Sequence, residues 1–342
     1  MTQHDLGALG WSPELAEQLQ PGLAPGRVIA AHRAAFDVHT ADGAVRTRLP
    51  GRLVHDSTDV AVGDWVGLGD GLIRVVLPRH SAIVRSAAGR TSQAQTLAAN
   101  VDVAFVVTSL GPEFEPRRIE RYLVTIWESG AMPEIVLTKA DRLDDPWPFV
   151  AEVEAIAMDV PVHVVSAVTG QGCDALRARI EPGKTAVLLG SSGVGKSTLV
   201  NRFAGRELMA VKETRADDDE GRHTTTHREL LELPGGGMVI DTPGIRELQL
   251  WDGGGLDEAF SDIDELAGEC RFNDCTHASE PGCAVTAALA SGELPRERFD
   301  SWRKLQRELR AIEIRHDARL RRDEKRKWQL RAREGRARAR HR

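Results

Sequence analysis

The stretch Gly190-Ser191-Ser192-Gly193-Val194-Gly195-Lys196-Ser197-Thr198 fits the pattern G-x-x-x-x-G-K-[ST] and constrains the fold more than any other part of the 342 residues. The pattern has meaning only where a hydrophobic strand enters the loop and a helix leaves it. Both flanks comply, with TAVLLG (185–190) before it and STLVNRFAG (197–205) after it. Glycines let backbone N–H groups turn inward as an anion nest at a helix N-terminus, Lys196 reaches the outer phosphates, and Ser197 can ligate Mg²⁺. The expected ligand is a nucleoside triphosphate, with Lys196 as a catalytic group. A plain glycine turn would not require the lysine or the flanking elements.

Two further constellations refine this. In Met238-Val239-Ile240-Asp241-Thr242-Pro243-Gly244 an apolar strand delivers Asp241 to the metal or its hydration shell, and Gly244 offers an N–H that can sense a γ-phosphate. Thr138-Lys139-Ala140-Asp141 ends the apolar run EIVLT, and a carboxylate there accepts from N1–H and the exocyclic amine of guanine, a donor pair that adenine lacks. Ser166-Ala167-Val168-Thr169-Gly170, at another strand end, can support the base through backbone N–H groups. Singly, T-K-x-D and S-A-x-x-G are ordinary loop sequences. Beside a phosphate loop they favour GTP and disfavour an ATPase.

The order of these motifs is unusual. In ordinary guanine-nucleotide proteins the phosphate loop comes first; here TKAD and SAVTG precede it and DTPG follows. That is a circular permutation, which a domain tolerates when its original termini lie close together. Around this core, residues 26–85 read as short alternating strands (RVIAAH, AFDVHT, VRTRL, DWVGLG, LIRVVL) with no helical period, so an OB-like β-barrel is the natural packing solution. Residues 1–25 form an N-terminal extension and 86–97 a polar linker. Residues 98–254 alternate apolar strands with helices, implying a mostly parallel sheet covered on both faces. ELLEL and GMVID, joined by Pro234 to Gly237, resemble a hairpin. The expected fold is therefore multidomain α/β, with a helical zinc-knuckle domain over 255–300 and a basic helix and tail over 301–342.

Four cysteines are too few for a disulfide scaffold, and three of them cluster. Cys270-x4-Cys275-x-His277-x5-Cys283 offers three thiolates and an imidazole, a donor set for one closed, structural Zn²⁺ site. Cys173 lies apart in a helical stretch and reads as a small core residue.

The net charge of −6 conceals an asymmetry. Residues 303–342 hold 17 Lys or Arg against 6 Asp or Glu, a balance of +11 that leaves −17 on the preceding 302. A dense basic segment on an acidic body suits a phosphate backbone; charge alone equally allows a solvated helix. Trp302, Leu305, Leu309 and Ile312 recur at helical spacing and give the first part of that segment an apolar stripe. The later run from Arg319 to Trp328 has no such stripe, and phosphate contact is its better reading. The N-terminus MTQHDLGALG lacks the form of a secretory signal, and no apolar run approaches the ~20 residues of a membrane span, so a cytosolic monomer away from membranes is expected.

Taken together, the strand-rich N-terminal part, Ala98 to Asp102 (AANVD), the permuted motifs, Gly221 to Thr226 (GRHTTT) and Cys270 to Cys283 (CRFNDCTHASEPGC) make the chain resemble the circularly permuted ribosome-associated GTPases called RsgA or YjeQ. The resemblance covers nearly the whole chain. It implies slow GTP hydrolysis, stimulated by the small ribosomal subunit during that subunit's late maturation and coupled to factor release, with rRNA and other assembly factors as partners. The alternative is a GTP-dependent RNA-binding module in which hydrolysis is incidental. Many GTPases carry Gln directly after D-x-x-G to orient the attacking water; Ile245 stands there instead. His223, beside Thr224, Thr225 and Thr226, is the candidate for that task, with an RNA contact or a role in folding the segment as its competitors. One of Thr224, Thr225 or Thr226, with Thr225 the one carried forward, is expected as the switch ligand of Mg²⁺ together with Ser197 and Asp241.

Overall fold

The computed structural model describes residues 5–32, 35–55, 58–86, 94–208, 228–241, 254–316 and 322. After a 3-10 turn (Leu6–Leu9) and helix α1 (Pro13–Gln18), the chain forms strands β1 (Ala24–Ala31), β2 (Phe36–Thr40) and β3 (Gly43–Thr47). Helix α2 (Gly51–His55) then precedes β4 (Trp65–Gly69) and β5 (Leu72–Val76). This short helix interrupts a region whose sequence shows no helical period, since five residues are too few to display one. All five strands pair antiparallel in the order β3-β2-β1-β4-β5. The two ends of that order meet where the Ile73 N–H donates to the Arg48 carbonyl (3.2 Å) and the Thr47 hydroxyl to the Gly71 carbonyl (2.8 Å). Inside sit Val28, Val38, Val66 and Ile73, all fully buried.

Strands β6 (Ala82–Ser86) and β7 (Ala94–Ala99) form a separate two-stranded sheet. Part of the segment read from sequence as a linker is therefore a strand. Its small and polar residues hide it: Ala94, Gln95 and Thr96 give no apolar run, although Thr96, Leu97, Ala98 and Ala99 are all buried.

The main sheet follows. Strand β8 (Val103–Ser109), helix α3 (Pro116–Ser129), strand β9 (Met132–Thr138), helix α4 (Trp147–Ile156), strand β10 (Val162–Val164), helix α5 (Cys173–Ala178), strand β11 (Thr185–Leu189) and helix α6 (Lys196–Ala204) alternate as the sequence implies. Strands β12 (Arg228–Glu232) and β13 (Met238–Asp241) make the expected antiparallel hairpin. The order is β10-β9-β8-β11-β13-β12, parallel except at β12. Uniform burial of TAVLL in β11 reflects helices on both faces. Phe105 and Val107 pack with α5 and α6, whereas Ala104 and Val106 pack with α3 and the C-terminal helices. Burying a side chain such as Phe105 contributes roughly 1.5–3 kcal/mol.

The two sheets are continuous, for Ala30 and Ala31 of β1 pair with Glu229 and Arg228 of β12. Arg27 reinforces the junction, donating to the carbonyls of Leu9 and Asn100 and to the Thr185 hydroxyl (2.7 Å). It is 2 % exposed, and burial lowers its pKa to about 10, so it remains a cation at neutral pH.

The C-terminal part comprises α7 (Leu256–Ala259), α8 (Ser261–Gly268), α9 (Ala284–Ser291) and α10 (Arg296–His316). Leu305 and Leu309 are buried, and Trp302 and Ile312 pack beside them, as the helical spacing predicts. The segment beyond α10 lies outside the described residues except Arg322. Among the described residues no helix is long and apolar enough to cross a membrane.

Candidate functional site: a nucleotide cleft and a Cys/His knuckle

The phosphate loop joins β11 to α6 at the carboxyl end of the parallel strands, the edge where open α/β sheets bind ligands. Gly190 has φ +149°, and a Cβ there would stand 2.1 Å from the Val107 carbonyl oxygen, so only glycine fits between β11 and β8. Gly195 caps α6 in the left-handed region at φ +102°, which frees the amides of the first turn. Lys196 Nζ donates to the carbonyls of Gly190 (2.8 Å) and Ser191 (2.6 Å), holding the ammonium over the loop. Ser197 and Thr198 occupy the first turn of α6, and Val194 is buried beneath the loop.

The residues that the sequence assigns to the base converge on the same edge. Thr138 ends β9 at 2 % exposure, and its hydroxyl reaches the Val194 carbonyl (2.5 Å) and the Thr108 carbonyl (3.1 Å). This side chain ties the loop after β9 to the phosphate loop. Lys139 follows at φ +59°, and Ala140–Arg142 form a 3-10 turn that presents Asp141 to solvent. The Ser166 hydroxyl donates to Asp141 Oδ1 (2.5 Å) while its oxygen accepts from the Thr169 N–H (3.1 Å). That pair fixes the carboxylate plane and leaves Oδ2 for a ligand. Arg202 of α6 donates to the Ala167 carbonyl (3.3 Å), and Cys173, buried as expected, lies against the Ser166 carbonyl (3.3 Å).

Asp241 ends β13 directly after Ile240, which pairs with Val187 of β11, so the strand delivers that position beside the phosphate loop. His223, Thr225 and Gly244 lie outside the described residues, as do Thr224, Thr226 and Ile245. Sequence reasoning missed two arginines. Arg202 looks like any exposed helical cation. Arg118, in the first turn of α3, donates to Ser191 Oγ of the phosphate loop (2.8 Å). Its one sequence signal was a pair of arginines just inside a proline-initiated helix, where cations are disfavoured.

The donor atoms of Cys270, Cys275, His277 and Cys283 lie within 4.8 Å of one another. Cys270 Sγ is 3.8 Å from Cys283 Sγ and 3.6 Å from His277 Nδ1, and Cys283 Sγ is 3.5 Å from that nitrogen. Tetrahedral ligation at ~2.3 Å for sulfur and ~2.05 Å for nitrogen requires about 3.8 Å between sulfurs and about 3.6 Å between sulfur and nitrogen. Cys270, His277 and Cys283 therefore fit a zinc-sized ion, and Cys275 lies within 4.8 Å as the fourth donor. Cys283 caps α9, accepting from the Thr286 N–H (3.4 Å); burial resists ionisation there, but Thr286 and His277 bring its pKa down to about 6. His277 takes φ +54° to complete the cluster, and its ring lies 5.8 Å from that of Trp302 on α10.

A buried ionic network joins this part to the nucleotide domain. Arg298 of α10, 4 % exposed, donates to Glu120 of α3 (3.0 Å), to both carboxylate oxygens of Asp262 (2.7 and 3.0 Å) and to the carbonyls of Ile156 and Ala259. Arg117 and Ser301 complete the shell around Glu120, and Arg121 pairs with Glu308 (2.8 Å).

Residues 76–251 match the model of the RsgA GTPase family. A relative from Streptomyces coelicolor, described as "Small ribosomal subunit biogenesis GTPase RsgA", is 48% identical over 97% of this chain and 94% of its own length. A protein of the same description from Methanosarcina acetivorans is 43% identical over 88% of this chain and 84% of its own. Among solved structures, YjeQ from Thermotoga maritima superposes with a TM-score of 0.64 at 28% identity, covering 84% of this chain and 98% of that one. YloQ, described as a circularly permuted GTPase, superposes with a TM-score of 0.63 at 24% identity over 85% and 96%, a likeness of fold.

Proposed function

The chain belongs to the RsgA GTPase family and is a GTPase, and from that premise we propose that it acts on the small ribosomal subunit late in its maturation, hydrolysing GTP slowly until the subunit stimulates it and coupling turnover to the release of assembly factors. The descriptions of its relatives support the partner. The observation that carries the nucleotide choice is the Ser166–Asp141 pair at the carboxyl edge of the sheet, with Oδ2 left for guanine.

The division of labour follows from the geometry. Asp141 accepts from the N1–H and amine of guanine, while Lys139 flanks the base and Ala140, Ser166 and Ala167 close its edge. Amides of Gly190 to Thr198 wrap the phosphates, and Lys196 moves from the loop carbonyls to the outer phosphate oxygens. Ser197, Thr225 and Asp241 are the residues that would hold Mg²⁺, whose charge offsets that of the β- and γ-phosphates. Their hard oxygen donors suit that ion. With Ile245 unable to orient water, His223 takes the task, and Gly244 senses the γ-phosphate. Cys270, Cys275, His277 and Cys283 would hold a structural Zn²⁺, a closed site that fixes the knuckle against α10.

Among the described residues the element after β13 is α7, not a further strand of the sheet. A γ-phosphate-dependent shift there would reach the C-terminal helices and the basic tail, which we assign to rRNA backbone. The β1–β5 sheet, with the pairing order of an OB-like barrel, supplies a second RNA-facing element. Co-sedimentation with purified small subunits tests the reading. Binding should be retained with a non-hydrolysable GTP analogue, weaken with GDP, and fall steeply with salt; equal binding in both nucleotide states removes the coupling.

A further inference from the structure

We propose that Arg118 is a catalytic residue of the GTPase reaction, a cation supplied from within the chain that stabilises the negative charge of the γ-phosphate as it transfers. Its guanidinium donates to Ser191 Oγ (2.8 Å), and Lys196 Nζ donates to the carbonyl of the same residue (2.6 Å). The two cations thus flank one residue of the phosphate loop. Lys196 serves the outer phosphates, so Arg118 stands beside the outer end of the nucleotide. It is exposed, and among the described residues its partner is the neutral Ser191 hydroxyl, which does not compensate the positive charge.

Electrostatics of the helix favour the same assignment. Arg117 and Arg118 occupy the first turn of α3 behind Pro116, with no acidic residue in that turn. A cation there opposes the helix dipole and is destabilising. Arg117 is offset by Glu120 (2.9 Å), whereas no carboxylate among the described residues pairs with Arg118, and an anion in the loop would offset it. Topology puts that anion within its field. Strand β8 leads into α3, β11 leads into the phosphate loop, and the two strands are hydrogen-bonded neighbours through Leu189 and Val106.

Charge movement during the reaction determines what such a cation does. A water oxygen bonds to the γ-phosphorus as the bond to the β–γ bridging oxygen breaks; its electron pair leaves with GDP, and the water's protons end on inorganic phosphate and solvent. Charge builds on the γ-oxygens and the bridging oxygen, where a preplaced guanidinium lowers the barrier. Placement requires a fixed α3. Glu120 is held by Arg298, Arg117 and Ser301, and Arg121 by Glu308, so the C-terminal helix sets where Arg118 points.

Full-length Arg118→Ala and Arg118→Lys proteins test the assignment through kcat and KM for GTP and through affinities for GDP and a non-hydrolysable GTP analogue. In Arg118→Ala, kcat should fall at least tenfold and analogue affinity at least threefold. Its GDP affinity should stay within twofold of the parent, and Arg118→Lys should recover part of kcat. A kcat within twofold of the parent overturns the proposal. Equal weakening of GDP and the analogue also overturns it, because that would mark Arg118 as a support of the loop.

Discussion

Replacing Asp141 by Asn should convert the base site rather than merely weaken it. The Ser166 hydroxyl sits 2.5 Å from Asp141 Oδ1, and its oxygen is already occupied as acceptor for the Thr169 N–H, so its proton is committed to residue 141. In Asp141→Asn the carbonyl oxygen of Asn satisfies that hydroxyl, which turns the amide NH₂ toward the position of Oδ2. Guanine then meets two donors with its own two donors. The lost contacts are hydrogen bonds to a carboxylate, each contributing about 1.5–3 kcal/mol, so GTP affinity should fall by about 3 kcal/mol or more, roughly two orders of magnitude. Xanthine carries an oxygen where guanine carries the amine, and the new NH₂ can donate to it. Titration of fluorescent GTP and xanthosine triphosphate against both proteins reads the exchange. A GTP affinity within tenfold of the parent, with no gain for xanthosine triphosphate, would show that Asp141 does not read the base.

Arg298→Ala leaves Glu120 without its main counter-ion in a buried shell, and truncating one partner of such a pair costs about 3–5 kcal/mol. Amide exchange in α10 and α7 should accelerate at least a hundredfold, and an acceleration under fivefold would show that Arg117 and Ser301 suffice. Protein purified without chelators should carry close to one zinc per chain. Cys275→Ser should lose that metal together with protection around Trp302; intact zinc would remove Cys275 from the ligand set. Asp37 is held down to about 2 by the Arg46 guanidinium, aided by His32, against a smaller opposing effect of burial. Its stabilisation of the β2–β3 hairpin should be complete above its ordinary pKa near 4 and disappear as pH falls from about 4 to 2. Solvent-exchange measurements on that hairpin across this window check the direction.

Legibility of the sequence varied with the kind of constraint. The phosphate loop, TKAD and the hairpin around Pro234 were readable because each demands particular residues at fixed spacing with a strand on one side. The Cys/His knuckle was readable for the same reason, and its 3.8 Å and 3.6 Å separations suit tetrahedral ligation. Long-range pairings were not readable. Nothing in RVIAAH indicates that β1 would extend the nucleotide-domain sheet through Glu229, and nothing in Arg298 indicates a partner at Glu120, 178 residues earlier. The strand β7 was masked by its small and polar residues, Ala94 to Thr96, and α2 by its five-residue length. Arg118 escaped because its meaning depends on which loop α3 approaches, a fact of topology rather than spacing.

The most direct test of the account is steady-state turnover of GTP and of ATP by the full-length protein, with and without purified small ribosomal subunits. GTP should be hydrolysed slowly alone and at least tenfold faster with subunits, and ATP should remain at background in both. Unstimulated GTP turnover would favour an RNA-binding module with incidental hydrolysis, and comparable ATP turnover would contradict the assignment of Asp141 as the reader of guanine.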